Sequence, residues 1–142
     1  MTTFSEVEFY NLTEVIFVTS NDNVKELCAT IEKYYKRNKS LADTLSKCES
    51  SMARLIRSVT KSATQCGCIE YTAKKQKFTL DADMKTLVDG ELCDNCQDII
   101  KTEAGTLLFY VFALCIELGI DVSSLIENES DSVKMLGKFN LK

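Results

Sequence analysis

The chain has 142 residues, a net charge of −4 and a pI near 4.9. Hydrophobic residues make up 45% and charged residues 27%, values that belong to a folded domain and not to a disordered chain. It contains no histidine, no proline and five glycines, which removes Ser-His-Asp, Cys-His and histidine-based zinc catalysis and permits long helices.

One domain, residues 1–142, is expected at this length, with roughly 68–70% of the unfolded surface buried. No stripe of Lys and Arg runs along a face. The densest basic stretch is Lys74, Lys75 and Lys77, too little for a nucleic-acid footprint. No phosphate-cradling glycine loop is present. The first charge is Glu6, where an export signal would carry a basic residue. The longest apolar run, Leu107–Ile116, has ten residues against the about 20 that a membrane span needs. Seven cysteines, an odd count, suit a reduced, cytoplasmic setting.

In chain order, residues 2–18 favour helix, with Thr3 and Glu6 as a capping box, although Glu14–Thr19 is also β-prone. Asn23 is placed to cap a helix carrying Val24, Leu27, Cys28, Ile31, Tyr34 and Tyr35 on one stripe. Arg37–Ser40 is a polar break, and Ser40 with Asp43 offers a fresh N-terminus. Leu41, Leu45, Cys48, Met52, Leu55 and Val59 then recur at spacings of four and three, a bundle-type seam continued by Ala63 and Cys66. This helix is expected to reach Ala73. Lys74–Asp83 reads as a loop, Met84–Val88 as a short helix and Asp89-Gly90 as a turn. A helix is expected from Glu91 to a Schellman stop at Gly119, where Ile120 would contact Cys115. Asp121 caps a last helix with Val122, Leu125, Ile126, Val133 and Leu136 as its apolar positions. The expected fold is all-α, an antiparallel bundle of four or five helices with Leu107–Ile116 inside and little or no sheet.

Residues 103–120, with Glu103-Ala-Gly-Thr106 at one end and Leu118-Gly119-Ile120-Asp121 closing an apolar stretch, resemble the second half of the MazG-like all-α nucleotide pyrophosphohydrolases. In that family four carboxylates from two helices hold Mg²⁺, which clamps a nucleoside triphosphate and helps activate water. The resemblance places Glu103 at one ligand position and Thr106 at another. The first motif falls best on Thr64, Gln65 and Cys68, none of them a carboxylate. Lys134 stands where a phosphate contact would lie. One carboxylate does not replace four. The resemblance therefore implies a degenerate, oligomeric member that binds a protein or a nucleotide-like ligand and needs no cofactor. An active enzyme using Mg²⁺ is the alternative.

A second alternative is a zinc-stapled interaction module. Cys66-Gly67-Cys68 and Cys93-Asp94-Asn95-Cys96 supply four thiols, enough for a tetrahedral site. Two features count against it: Cys-x-Cys is an unusual spacing, and Cys66 falls on the apolar row of a helix, where small buried thiols are common. Glu103 has a second reading as an acid at a helix N-terminus, with Thr102 or an earlier residue as cap, and Lys134 as a last-turn lysine. Phe109, Tyr110 and Phe112 are read as core. The unbroken apolar run predicts a homo-oligomer, with neither membrane nor nucleic acid as a partner.

Overall fold

A computed structural model describes residues 22–35, 40–72 and 87–137. The expectations for residues 2–18 and for the 74–83 loop lie outside them. Helix α1 covers residues 22–34. Helix α2 spans Leu41–Lys61 and runs into a π turn, Ser62–Cys66; strands β1, Ile69–Tyr71, and β2, Val88–Gly90, follow, then α3, Asp94–Glu117, and α4, Val122–Leu136. The described chain is mostly helical, as expected, with one small antiparallel sheet added. Its register pairs Ile69 with Gly90, Glu70 with Asp89 and Tyr71 with Val88.

Two compact units emerge. The first gathers α1, the start of α2, the end of α3 from Val111, and α4. Ile31, Phe112, Ala113, Cys115 and Val122 form its apolar core. Buried Thr44 donates to Glu117 Oε1 at 3.0 Å and meets the Tyr35 hydroxyl at 3.2 Å. A carboxylate only accepts, so the Thr44 proton points to Glu117 and Tyr35 must donate to Thr44.

The helix ends of this unit follow local chemistry. Asp22 is already helical, so Asn23 lies inside α1 and not at its cap. Ser40 Oγ accepts from the Asp43 N–H at 3.2 Å and starts α2 as expected. Gly119 adopts φ +69°; its N–H reaches the Ile116 carbonyl and that of Ile120 the Cys115 carbonyl. That is the Schellman pair. The Asp121 carboxylate accepts from the Ser124 N–H at 3.0 Å and caps α4. Bonds from the Ser124 hydroxyl, then its N–H, hold the Asp121 carboxyl below its ordinary pKa. Asp121→Ala should remove this cap and lower the midpoint of urea unfolding.

The second unit contains α2 from Leu45, the sheet, and α3 as far as Tyr110. Here α2 stops twelve residues short of Ala73. Ser58, Thr60, Ser62 and Thr64 each bond a carbonyl three or four residues back, competition that loosens a helix. The last turn widens, and Gly67 at φ +74° ends it by donating to the Ser62 carbonyl. Residues 87 and 88 are not helical, and Asp89-Gly90 lies in β2. Helix α3 begins at Asp94, not Glu91, so Glu103 is mid-helix and not at an N-terminus, and Thr102 caps nothing. Thr102 Oγ1 bonds the Asp98 carbonyl instead. Arg54 Nε meets Glu103 Oε2 at 3.0 Å and Cys66 meets Cys93. Rising numbers on one side meet falling numbers on the other, so α2 and α3 are antiparallel in this unit.

Among the described residues, α3 alone is long and apolar enough to cross a membrane by length and composition, with a window of mean hydropathy 1.7. The ten-residue run understated it. Glu103, however, sits well inside the helix and is ion-paired to Arg54. Only 17% of that window is buried, so most of it is left uncovered by its own chain.

Candidate metal centre

Each half of the site is made by a change of backbone conformation. Cys66 ends the π turn; Gly67 then takes the left-handed conformation and reverses the chain, and Cys68 follows before β1. A residue with a side chain is strained at such a φ. Cys93 immediately precedes α3, and its carbonyl accepts from the Gln97 N–H at 2.9 Å, the first helical bond. Cys93 is thus the N-cap residue and Cys96 lies one turn in. The sheet joins the halves, since β1 follows Cys68 and β2 precedes Cys93.

The four Sγ atoms all lie within 4.8 Å of one another. Cys66 and Cys93 are 3.7 Å apart. A tetrahedral zinc site with Zn–S near 2.3 Å places its sulfurs about 3.8 Å apart. The arrangement is therefore close to the size that zinc requires. Cys96 is buried, Cys66 exposed, and Cys68 and Cys93 intermediate. Among the described residues no other group of three or more Cys, Asp or Glu is disposed to hold a metal.

The thiols are not equivalent. The Cys96 N–H bonds the Cys93 sulfur and, with the Cys96 thiol, holds Cys93 below the ordinary thiol pKa, as a helix N-terminus does for a thiolate. A bond with the Cys93 thiol pushes Cys66 up. Burial, then bonds with the neighbouring thiols, pushes Cys96 up to about 12. Cys96 and Cys66 therefore carry protons at neutral pH, and a metal must displace them. Low pH favours the protonated, metal-free form. With at least two protons released, apparent zinc affinity should fall about a hundredfold from about pH 8 to about pH 7, measured by chelator competition.

Gly90 lies across the sheet from Ile69 at φ +85°, and a Cβ there would meet the Cys68 carbonyl oxygen at 2.5 Å. Only glycine lets β2 pass the Cys-x-Cys turn. Gly90→Ala should displace Cys68 and weaken zinc binding at least about tenfold, with a strain cost of about 1–3 kcal/mol.

No family model matches this chain, and neither the curated proteins nor the solved structures contain a significant match to it. The MazG-like resemblance accordingly rests on the sequence alone, on residues 103–121 and the following helix with Lys134.

The positions that resemblance singled out are differently engaged. Thr64 and Thr106 turn their hydroxyls to the carbonyls of Thr60 and Thr102. Gln65 is exposed. Glu103 is ion-paired to Arg54, and Cys68 belongs to the thiol cluster. Lys134 is in the last turn of α4, 3.9 Å from Asp131 and well exposed. Cys66, read as a small core residue, is instead an exposed member of the cluster. The four thiols form a group that could hold a metal ion, so the expectation of no cofactor is not borne out. The four cysteines brought together are the set that the zinc alternative named from the sequence.

Proposed function

We propose that this chain is a zinc-stapled helical interaction module that works by binding and not by catalysis. One observation carries it: four cysteine sulfurs within 4.8 Å of one another. Four protein ligands close a zinc site and leave no position for substrate or water, the mark of a structural centre. The zinc joins the end of α2 to the start of α3. Free thiols at this density suit a reducing compartment, which supports a cytoplasmic location.

The scaffold reading survives alongside it. A MazG-like bundle that has lost its carboxylates would also act by binding a protein or a nucleotide-like ligand, and Glu103 paired with Arg54 supports the loss. An active Mg²⁺ pyrophosphohydrolase has less support, because among the described residues no three carboxylates gather. Elemental analysis of protein purified without chelator tests the proposal. One zinc per chain, with four thiols protected until chelator is added, is the expected result. Zinc-free protein with all of its thiols titrating at once would refute it.

A further inference from the structure

We infer that the metal centre is a redox switch: a hydroperoxide joins Cys66 to Cys93 in a disulfide and thereby expels the zinc. The switch presupposes the zinc centre proposed above and adds its regulation. The four ligands are unequally held. Cys96 is buried, one turn into α3. Cys68 is anchored by its N–H, which donates to the Ser62 carbonyl at 3.2 Å. Cys66 is exposed and Cys93 half-buried. Each stands at a helix end, Cys66 closing the π turn and Cys93 preceding α3. A Cβ on Gly67 would meet nothing within 4 Å, so an oxidant has open space beside Cys66. The Cys66 and Cys93 sulfurs are already 3.7 Å apart, and an S–S bond of about 2.0 Å needs them to close by only about 1.7 Å.

Zinc holds its cysteine ligands as thiolates, and oxidation falls first on a thiolate that solvent reaches. The Cys66 thiolate attacks one peroxide oxygen. An S–O bond forms, the O–O bond breaks, and the hydroxide that leaves takes a proton to become water. The Cys93 thiolate then attacks the sulfenic sulfur of Cys66. The S–S bond forms, the S–O bond breaks, and a second hydroxide leaves as water. Two electrons have passed from the sulfurs to the peroxide. The thiolates of Cys68 and Cys96 remain, half of the four that close a structural zinc site, and the ion leaves. The exposed sheet thereby loses its metal anchor, while the cross-link keeps the end of α2 beside the start of α3. Reduction by a thiol then rebuilds the site. A reducing compartment holds the switch in its zinc-bound state until peroxide rises.

The test is titration of the full, zinc-loaded chain with hydrogen peroxide, following released zinc with a chromogenic chelator and mapping the thiols by peptide mass spectrometry. One equivalent should release the zinc, lower the count of free thiols from seven by two, and leave one cross-link, between the peptides of Cys66 and Cys93. Dithiothreitol with added zinc should reverse both changes. Cys66→Ser should lose its zinc to peroxide at least about tenfold more slowly. The map on the unaltered chain decides the matter even if that variant holds zinc poorly. Zinc retained in excess peroxide with every thiol intact would overturn the inference and leave the metal centre standing. A cross-link confined to Cys93 and Cys96, or release through sulfinic acid with no cross-link, would also overturn it. Protein that carries no zinc before peroxide is added would refute the metal centre itself and the switch with it.

Discussion

Replacing both Cys93 and Cys96 by serine should abolish zinc binding and unfold the sheet together with the first turn of α3. The reason is that, among the described residues, little else holds this part of the chain. Each strand is three residues long, β1 is intermediate at Ile69 and exposed beyond it, and β2 is exposed throughout. A two-stranded hairpin without an apolar face is marginal in water. Structural zinc binds with about 10–16 kcal/mol in small domains, and that free energy is folding free energy. Serine keeps the shape but offers a hard, neutral oxygen in place of a thiolate. The Thr72 N–H, which donates to the Leu87 carbonyl at 3.2 Å, should lose its hydrogen-exchange protection. The melting temperature should fall by about 10 °C or more. The core around Ile31, Phe112 and Cys115 should keep its helical signal in the cold. Unchanged melting and full protection of Thr72 in the double variant would show that the thiols are only neighbours.

The second large effect is an absence of turnover. The purified protein should release no pyrophosphate from nucleoside triphosphates with Mg²⁺ or Mn²⁺ above background. A hydrated magnesium ion bridging phosphates needs several carboxylates to hold it. Glu103 offers one, and Arg54 lies 3.0 Å from it. Thr64 and Thr106 supply neutral hydroxyls already donated to backbone carbonyls. Cys68 is a soft ligand directed to the thiol group. Thr64→Glu, Gln65→Glu and Thr106→Asp should therefore not create activity while Arg54 remains. Robust hydrolysis by the unaltered protein, lost in Glu103→Gln, would reinstate the enzyme reading.

Where a helix end is decided by one residue's own side chain or backbone, it could be read directly. Ser40, Gly119 and Asp121 each act within four residues, and each performs the expected bond. The metal centre could not be read in that way. Its ligands are brought together by Gly67 and by a sheet of three-residue strands, and such strands carry too short an alternation to register against a helical pattern. The apolar row through Cys66 looked continuous because periodicity does not register the hydroxyls that loosen the helix end. Leu87, at φ +58°, likewise breaks what composition suggested was a short helix. Glu103 was misplaced at a helix start because its local motif resembles one, whereas the start belongs to Cys93, nine residues earlier than the last residue before Glu103.

The central claim is that all four cysteines ligate one zinc ion. X-ray absorption at the zinc edge, on protein as purified, tests it most directly. The expected spectrum has a single shell of four sulfurs at about 2.3 Å. A shell dominated by oxygen or nitrogen at about 2.0–2.1 Å, or no zinc in protein that is fully folded, would contradict it.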